Sequence, residues 1–122
     1  MPLDPNAVPG LLRALNSDDV YVRIVAAEAL GKIGRPEALR RLFETLNDPR
    51  ADVRRRVIRA LERIGTEPRA NVAAQVVPGL AHGLDDADAA VRWAAEMALH
   101  HLGIPAARKA LATHRRQHAG VG

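Results

Sequence analysis

Apolar residues recur along this chain in short helical stripes divided by polar turns, and the stripes come in three aligned copies. Leu11, Leu12 and Leu15 stand at i, i+1 and i+4, the spacing of one side of a short amphipathic helix. Asn16-Ser17-Asp18-Asp19 interrupts them with turn and N-cap residues. A second stripe follows at Val22, Ala26, Leu30 and Ile33, and Gly34 ends it. Adding 31 to these numbers gives Leu42, Leu46, Val53, Val57, Leu61, Ile64 and Gly65. Adding 69 gives Leu80, Leu84, Val91, Ala95, Leu99, Leu102 and Gly103. Each copy therefore predicts a helical hairpin. Hairpins that cannot cover their own apolar faces must stack.

The small residues Ala26 and Ala29 return as Val57 and Ala60, then as Ala95 and Ala98, so neighbouring second helices can approach closely. Seven extra residues separate copies two and three, around Thr66-Glu67-Pro68-Arg69-Ala70-Asn71. They predict a longer loop and a longer first helix, with Pro78 near a kink or a helix start. After Gly103 a fourth copy begins but has no second helix. Its Arg108, Lys109, His114, Arg115 and Arg116 suit the polar outer face of a terminal repeat. The tail from His118 to Gly122 is expected to fray. The expected architecture is all-α: a single domain over 1–122, an α-solenoid of stacked helical hairpins. Its repeats lie at about 8–34, 38–65 and 70–103, with a half repeat over 104–117 as the capping helix, seven helices in all.

With one Phe, one Tyr and one Trp, the core must be aliphatic, which suits closely packed helices. The absence of cysteine excludes disulfides and thiolate metal sites. Met1-Pro2-Leu3-Asp4-Pro5 lacks the pattern of a signal peptide, and no apolar run is long enough to span a bilayer, so a cytoplasmic chain without membrane contact is the expectation. The net charge of +4 comes almost wholly from arginine, and Arg54, Arg55, Arg56, Arg59 and Arg63 concentrate in copy two. Such a cluster fits an acidic partner or nucleic acid, or simply a solvated surface.

The stretch Asp19-Val20-Tyr21-Val22-Arg23-Ile24-Val25-Ala26-Ala27-Glu28-Ala29-Leu30-Gly31-Lys32-Ile33-Gly34 resembles the HEAT-like repeat of the phycobilisome-lyase type. Copies two and three keep Val-Arg, Ala-Leu and the last Gly, but carry Glu62 and His100 in place of the inner Gly. The resemblance covers about residues 8–111 and implies a right-handed α-solenoid, a superhelix of the HEAT-like or armadillo type. It implies structural roles for Val22, Arg23, Leu30 and Gly34, for Val53, Arg54, Leu61 and Gly65, and for Val91, Arg92, Leu99 and Gly103. It further implies that Arg23, Arg54 and Arg92 bridge to the acidic turn of a neighbouring repeat, at Asp19, Asp52 or Asp88. Fold follows from such a likeness; function must come from the site.

In such stacks the second helices line the concave face. Their outward positions are Ile24, Val25, Glu28 and Lys32 in copy one, Arg55, Arg56, Arg59 and Arg63 in copy two, and Trp93, Ala94, Met97 and His101 in copy three. The expected function is a non-catalytic protein-interaction module, an adaptor, scaffold or regulatory subunit. Its partner would be an acidic, partly apolar segment, anchored by Trp93 and paired with Arg55, Arg56 and Arg59. Alternatively, Trp93 packs beneath copy three and the arginines form a solvated face. Two further alternatives are binding of a DNA backbone through copy two and an accessory role beside a bilin lyase. A homodimer through the exposed end helices is also open.

No cofactor or metal is expected. The positions after Val-Arg, where the HEAT-like deoxyhypusine hydroxylases carry His-Glu pairs, are Ile24-Val25, Arg55-Arg56 and Trp93-Ala94, so that chemistry is excluded. His114 and His118 have ligand spacing but lack a third ligand nearby, and Arg115 and Arg116 oppose a cation, so they read as exposed tail histidines. Asp85, Asp86 and Asp88 read as helix caps.

Overall fold

The polar turns cut the chain into helices at the expected places. The computed structural model describes residues 4–119. It contains α1 (Val8–Ala14), α2 (Val20–Ile33), α3 (Leu39–Thr45), α4 (Ala51–Gly65), α5 (Ala73–Gly83), α6 (Ala89–Leu102) and α7 (Pro105–His118). Short 3-10 turns at Pro5–Ala7 and Pro36–Ala38 lead into α1 and α3. No strand occurs among the described residues. α7 runs through His118, which corrects the expectation that the tail frays from there; residues 120–122 lie outside the described residues.

α1 pairs with α2, α3 with α4 and α5 with α6; α2, α4 and α6 then lie side by side, and α7 rests on α5 and α6. The result is an α-solenoid. Its core is aliphatic: Leu30, Leu42, Val53, Ile58, Leu61, Ile64, Leu80, Val91 and Leu99 are all fully buried, and no polar residue joins them among the described residues. Val22 departs from the pattern at 40 % exposed, whereas its equivalents Val53 and Val91 are fully buried. Among the described residues α2 packs chiefly against α1 and α4, whereas α4 packs against α2, α3, α5 and α6, and α6 against α4, α5 and α7. Tyr21 and Val25 are exposed as well.

Gly34 and Gly103 end α2 and α6 in the left-handed region, at φ 75° and 61°, each donating its N–H to the carbonyl four residues back. Gly65 does something else, which corrects its expected role as a stop. It remains helical, α4 closes on Thr66, and the left-handed residue of that linker is Asn71 at φ 50°. Gly65 is small for a packing reason, because a Cβ there would sit 2.6 Å from Val76 Cγ2. Pro78 lies inside α5 on its exposed side, not at an end.

One position in each turn ties the repeats together. Ser17, Asp48 and Asp86 are equivalents, and each accepts from the backbone N–H two residues on, at 3.1, 2.9 and 2.9 Å. The two aspartates also receive the arginine of the preceding repeat. Arg23 Nε reaches Asp48 Oδ2 at 2.8 Å, and Arg54 makes a two-pronged pair with Asp86 at 2.9 and 3.0 Å. Each arginine also donates to the carbonyl six residues back in its own turn, Ser17, Asp48 or Asp86. The bridge to a neighbouring acidic turn is therefore present, but not to Asp19, Asp52 or Asp88. Asp19 and Asp88 are occupied in capping α2 and α6, and Asp52 lies 3.7 Å from Arg55. Among the described residues Arg92 pairs with no carboxylate and donates to the Asp86 and Ala87 carbonyls.

Electrostatics follow the geometry. Burial pushes the Asp86 carboxyl up, but the Arg54 hydrogen bond, the Asp88 N–H and the Arg54 charge outweigh it and hold the group below the ordinary value. The Asp86 hydrogen bond raises Arg54 against a smaller opposing effect of burial.

Across the α2–α4 contact, a Cβ on Gly31 would stand 2.7 Å from the Ala60 Cα. The obstacle is backbone, so α2 and α4 would have to part. Gly31→Ala is expected to destabilise by about 1–2 kcal/mol in urea unfolding, even though alanine favours helix by roughly 1 kcal/mol. A stability gain would show that the two helices separate freely.

Candidate functional site

On α4 the solvent side is set by what its other side buries. Val53, Val57, Ala60, Leu61 and Ile64 turn inward, which leaves Arg55, Arg56, Arg59, Glu62 and Arg63 outward. The equivalent turns of α2 and α6 bring Glu28 and Lys32 to one flank of this stripe and Trp93, Met97 and His101 to the other. Ile24 is half-buried against the core, and Ala94 is buried.

The strip is not uniformly cationic. Arg56 is neutralised by an ion pair with Glu28, and Arg55 lies 3.7 Å from Asp52 on its own helix. Among the described residues Lys32, Arg59 and Arg63 form no ion pair, so the unpaired positive charge sits one turn further along α4 than Arg55 and Arg56. Glu62 points to the other flank, with Oε2 2.5 Å from His101 Nδ1.

Trp93 is 60 % exposed, which excludes its packing beneath copy three. Between α4 and α6 lies a groove of about 290 Å³, with Arg59, Glu62 and Arg63 on one bank and Trp93, Ala94, Met97 and His101 on the other. A smaller hollow of about 160 Å³, with Glu28, Lys32, Arg56, Arg59 and Arg63, continues it between α2 and α4. Apolar surface and unpaired cations therefore alternate along one layer of helices.

The family model for HEAT repeats matches residues 8–99, spanning all three hairpins. The chain belongs to the HEAT repeat family. HEAT repeats are generally protein-interaction scaffolds and typically non-catalytic, in keeping with a surface of helices and open grooves. No curated protein matches the chain. No helix among the described residues is long and apolar enough to cross a membrane.

Away from this face, the tertiary structure corrects one further expectation. His114 and His118 do have a third group beside them, since both Nε2 atoms approach Asp85 Oδ1, at 3.2 and 3.3 Å. Asp85 therefore does not cap a helix. Its distance from the histidines in sequence, more than a full repeat half, is why spacing alone misses it.

Proposed function

We propose that this HEAT repeat chain is a non-catalytic interaction module that binds an acidic, partly apolar protein segment across α2, α4 and α6. Trp93 with Met97 takes an apolar side chain, and Arg59, Arg63 and Lys32 take carboxylates. The observation that carries the reading is the groove with Trp93 on one bank and two unpaired arginines on the other. Tryptophan and arginine dominate binding hot spots when they stand together in such a pocket. Arg55 and Arg56 contribute less than the sequence suggests, because acidic residues already occupy them.

The test is capture of a partner from the source organism by wild type, Arg63→Glu and Arg59→Glu, with duplex DNA in a parallel titration. Retention of one protein by wild type alone is the expected result. Capture that ignores both reversals would overturn it. So would a DNA complex that weakens steeply with salt, which favours a phosphate backbone as ligand. Kinship to the phycobilisome-lyase type, and an accessory role beside a bilin lyase, are supported only by the string Asp19–Gly34; a co-purifying coloured bilin is their test. A homodimer would find its apolar surface at Tyr21, Val22 and Val25, with sedimentation at rising concentration as the measurement.

A further inference from the structure

The three neighbouring aspartates at the α5–α6 turn have separate fates. Asp86 is taken by Arg54 and Asp88 caps α6. Asp85 is left, exposed, with neither an arginine nor a helix N-terminus to satisfy it. α7 crosses this turn and presents two imidazoles one helical turn apart, with ring centroids 4.2 Å from each other. The ligand atoms of Asp85, His114 and His118 all lie within 4.8 Å of one another.

The separations carry the chemistry. A charge-assisted N–H to carboxylate bond closes to about 2.7–2.9 Å. Both His Nε2 atoms instead stand at 3.2 and 3.3 Å from the same Asp85 oxygen. An ion with bonds of about 2.0–2.1 Å in tetrahedral geometry sets its ligand atoms about 3.3–3.4 Å apart. Two of the three ligand–ligand separations thus match those around a common centre, and the third lies within 4.8 Å. We propose that Asp85, His114 and His118 form a binding site for a divalent transition-metal ion of the zinc class, which pins α7 to the α5–α6 turn.

Two imidazoles with one carboxylate select zinc, cobalt, nickel or copper over magnesium and calcium, which demand oxygen ligands. The remaining coordination position is open. Beside the histidines lies a cavity of about 610 Å³ that Glu96 and His100 also line, with room for water or a further ligand. Arg115 lines the same cavity and opposes the ion, so affinity falls short of that of an enclosed site. The site joins segments some thirty residues apart, so it exists only when the terminal helix is docked. Binding to the folded state alone then raises the melting temperature.

The test is calorimetric titration of untagged, metal-free chain with Zn²⁺, Ni²⁺ and Mg²⁺, beside thermal melts with and without each ion. Wild type is expected to bind one Zn²⁺ or Ni²⁺ per chain and to melt higher with it, while Mg²⁺ does neither. Asp85→Asn and His118→Gln alter exposed side chains and should retain the helical circular dichroism. Their affinity should drop by more than the roughly 10–100-fold that loss of an outer-shell partner costs. His101→Ala, on the opposite groove, should bind as wild type does. Co²⁺ in place of zinc should give visible absorption that the Asp85 variant lacks. Absence of wild-type binding at excess Zn²⁺ and Ni²⁺, or undiminished binding by Asp85→Asn, overturns the proposal.

Discussion

Arg54→Ala is expected to lower the stability of the folded chain by about 3 kcal/mol. Arg92→Ala, at the equivalent position one repeat on, should change it by less than about 1 kcal/mol. The contrast comes from what each removal strands. Arg54 and Asp86 are only 16 % and 11 % exposed, and without Arg54 the Asp86 carboxylate loses its counter-charge and two hydrogen bonds in a partly buried turn. The Asp48 carbonyl loses its 2.8 Å donor as well. Arg92 is exposed and strands no carboxylate. Urea unfolding of both variants measures the difference, and equal losses would remove the inter-repeat pair from the account of stability. In Arg54→Ala/Asp86→Ala the loss should be less than the sum of the single variants, because the two groups act as one.

Acid should act on the same pair. Folding depresses the Asp86 carboxyl below its ordinary 3.8, so the unfolded chain binds the proton more tightly. The contribution is therefore complete above that value and is lost as pH falls through the lower, folded one. Asp86→Asn should lose stability near neutrality and show a flatter acid limb.

Trp93→Ala should weaken partner binding by at least about 30-fold, the scale of a hot-spot residue worth about 2 kcal/mol. Its effect on unfolding should stay within about 1 kcal/mol, since a side chain 60 % exposed supports little of the core. Fluorescence gives an independent reading from the sole tryptophan. In the free protein its emission should lie at long wavelength and yield readily to quenchers; with partner bound it should shift to the blue and become protected. Binding that survives the substitution, or a chain that unfolds because of it, would remove Trp93 from the interface.

The repeat that resembled the HEAT family was readable because its signals are local. Leu30, Leu61 and Leu99 recur on one helical stripe and are buried in all three copies. The pairing of Arg54 was half readable. That it reaches the next acidic turn came with the resemblance, while its carboxylate, Asp86, was hidden among capping neighbours that look alike in sequence. The shared register of Ser17, Asp48 and Asp86 was the available signal. The first copy carries a neutral serine at this register, while copies two and three carry the aspartates that receive Arg23 and Arg54.

By itself the sequence determined the hairpins, their number and their buried stripe, because helical periodicity and capping act within a few residues. The stacking of helices decided the rest. It left Val22 exposed where Val53 and Val91 are buried, and it neutralised Arg56 with Glu28 while leaving Arg59 and Arg63 without an ion pair among the described residues. It stood Trp93 in solvent over a groove and brought Asp85 beneath His114 and His118. Each of these depends on which side chains from distant segments meet, and a pattern that repeats along the chain is silent about its neighbours across the stack.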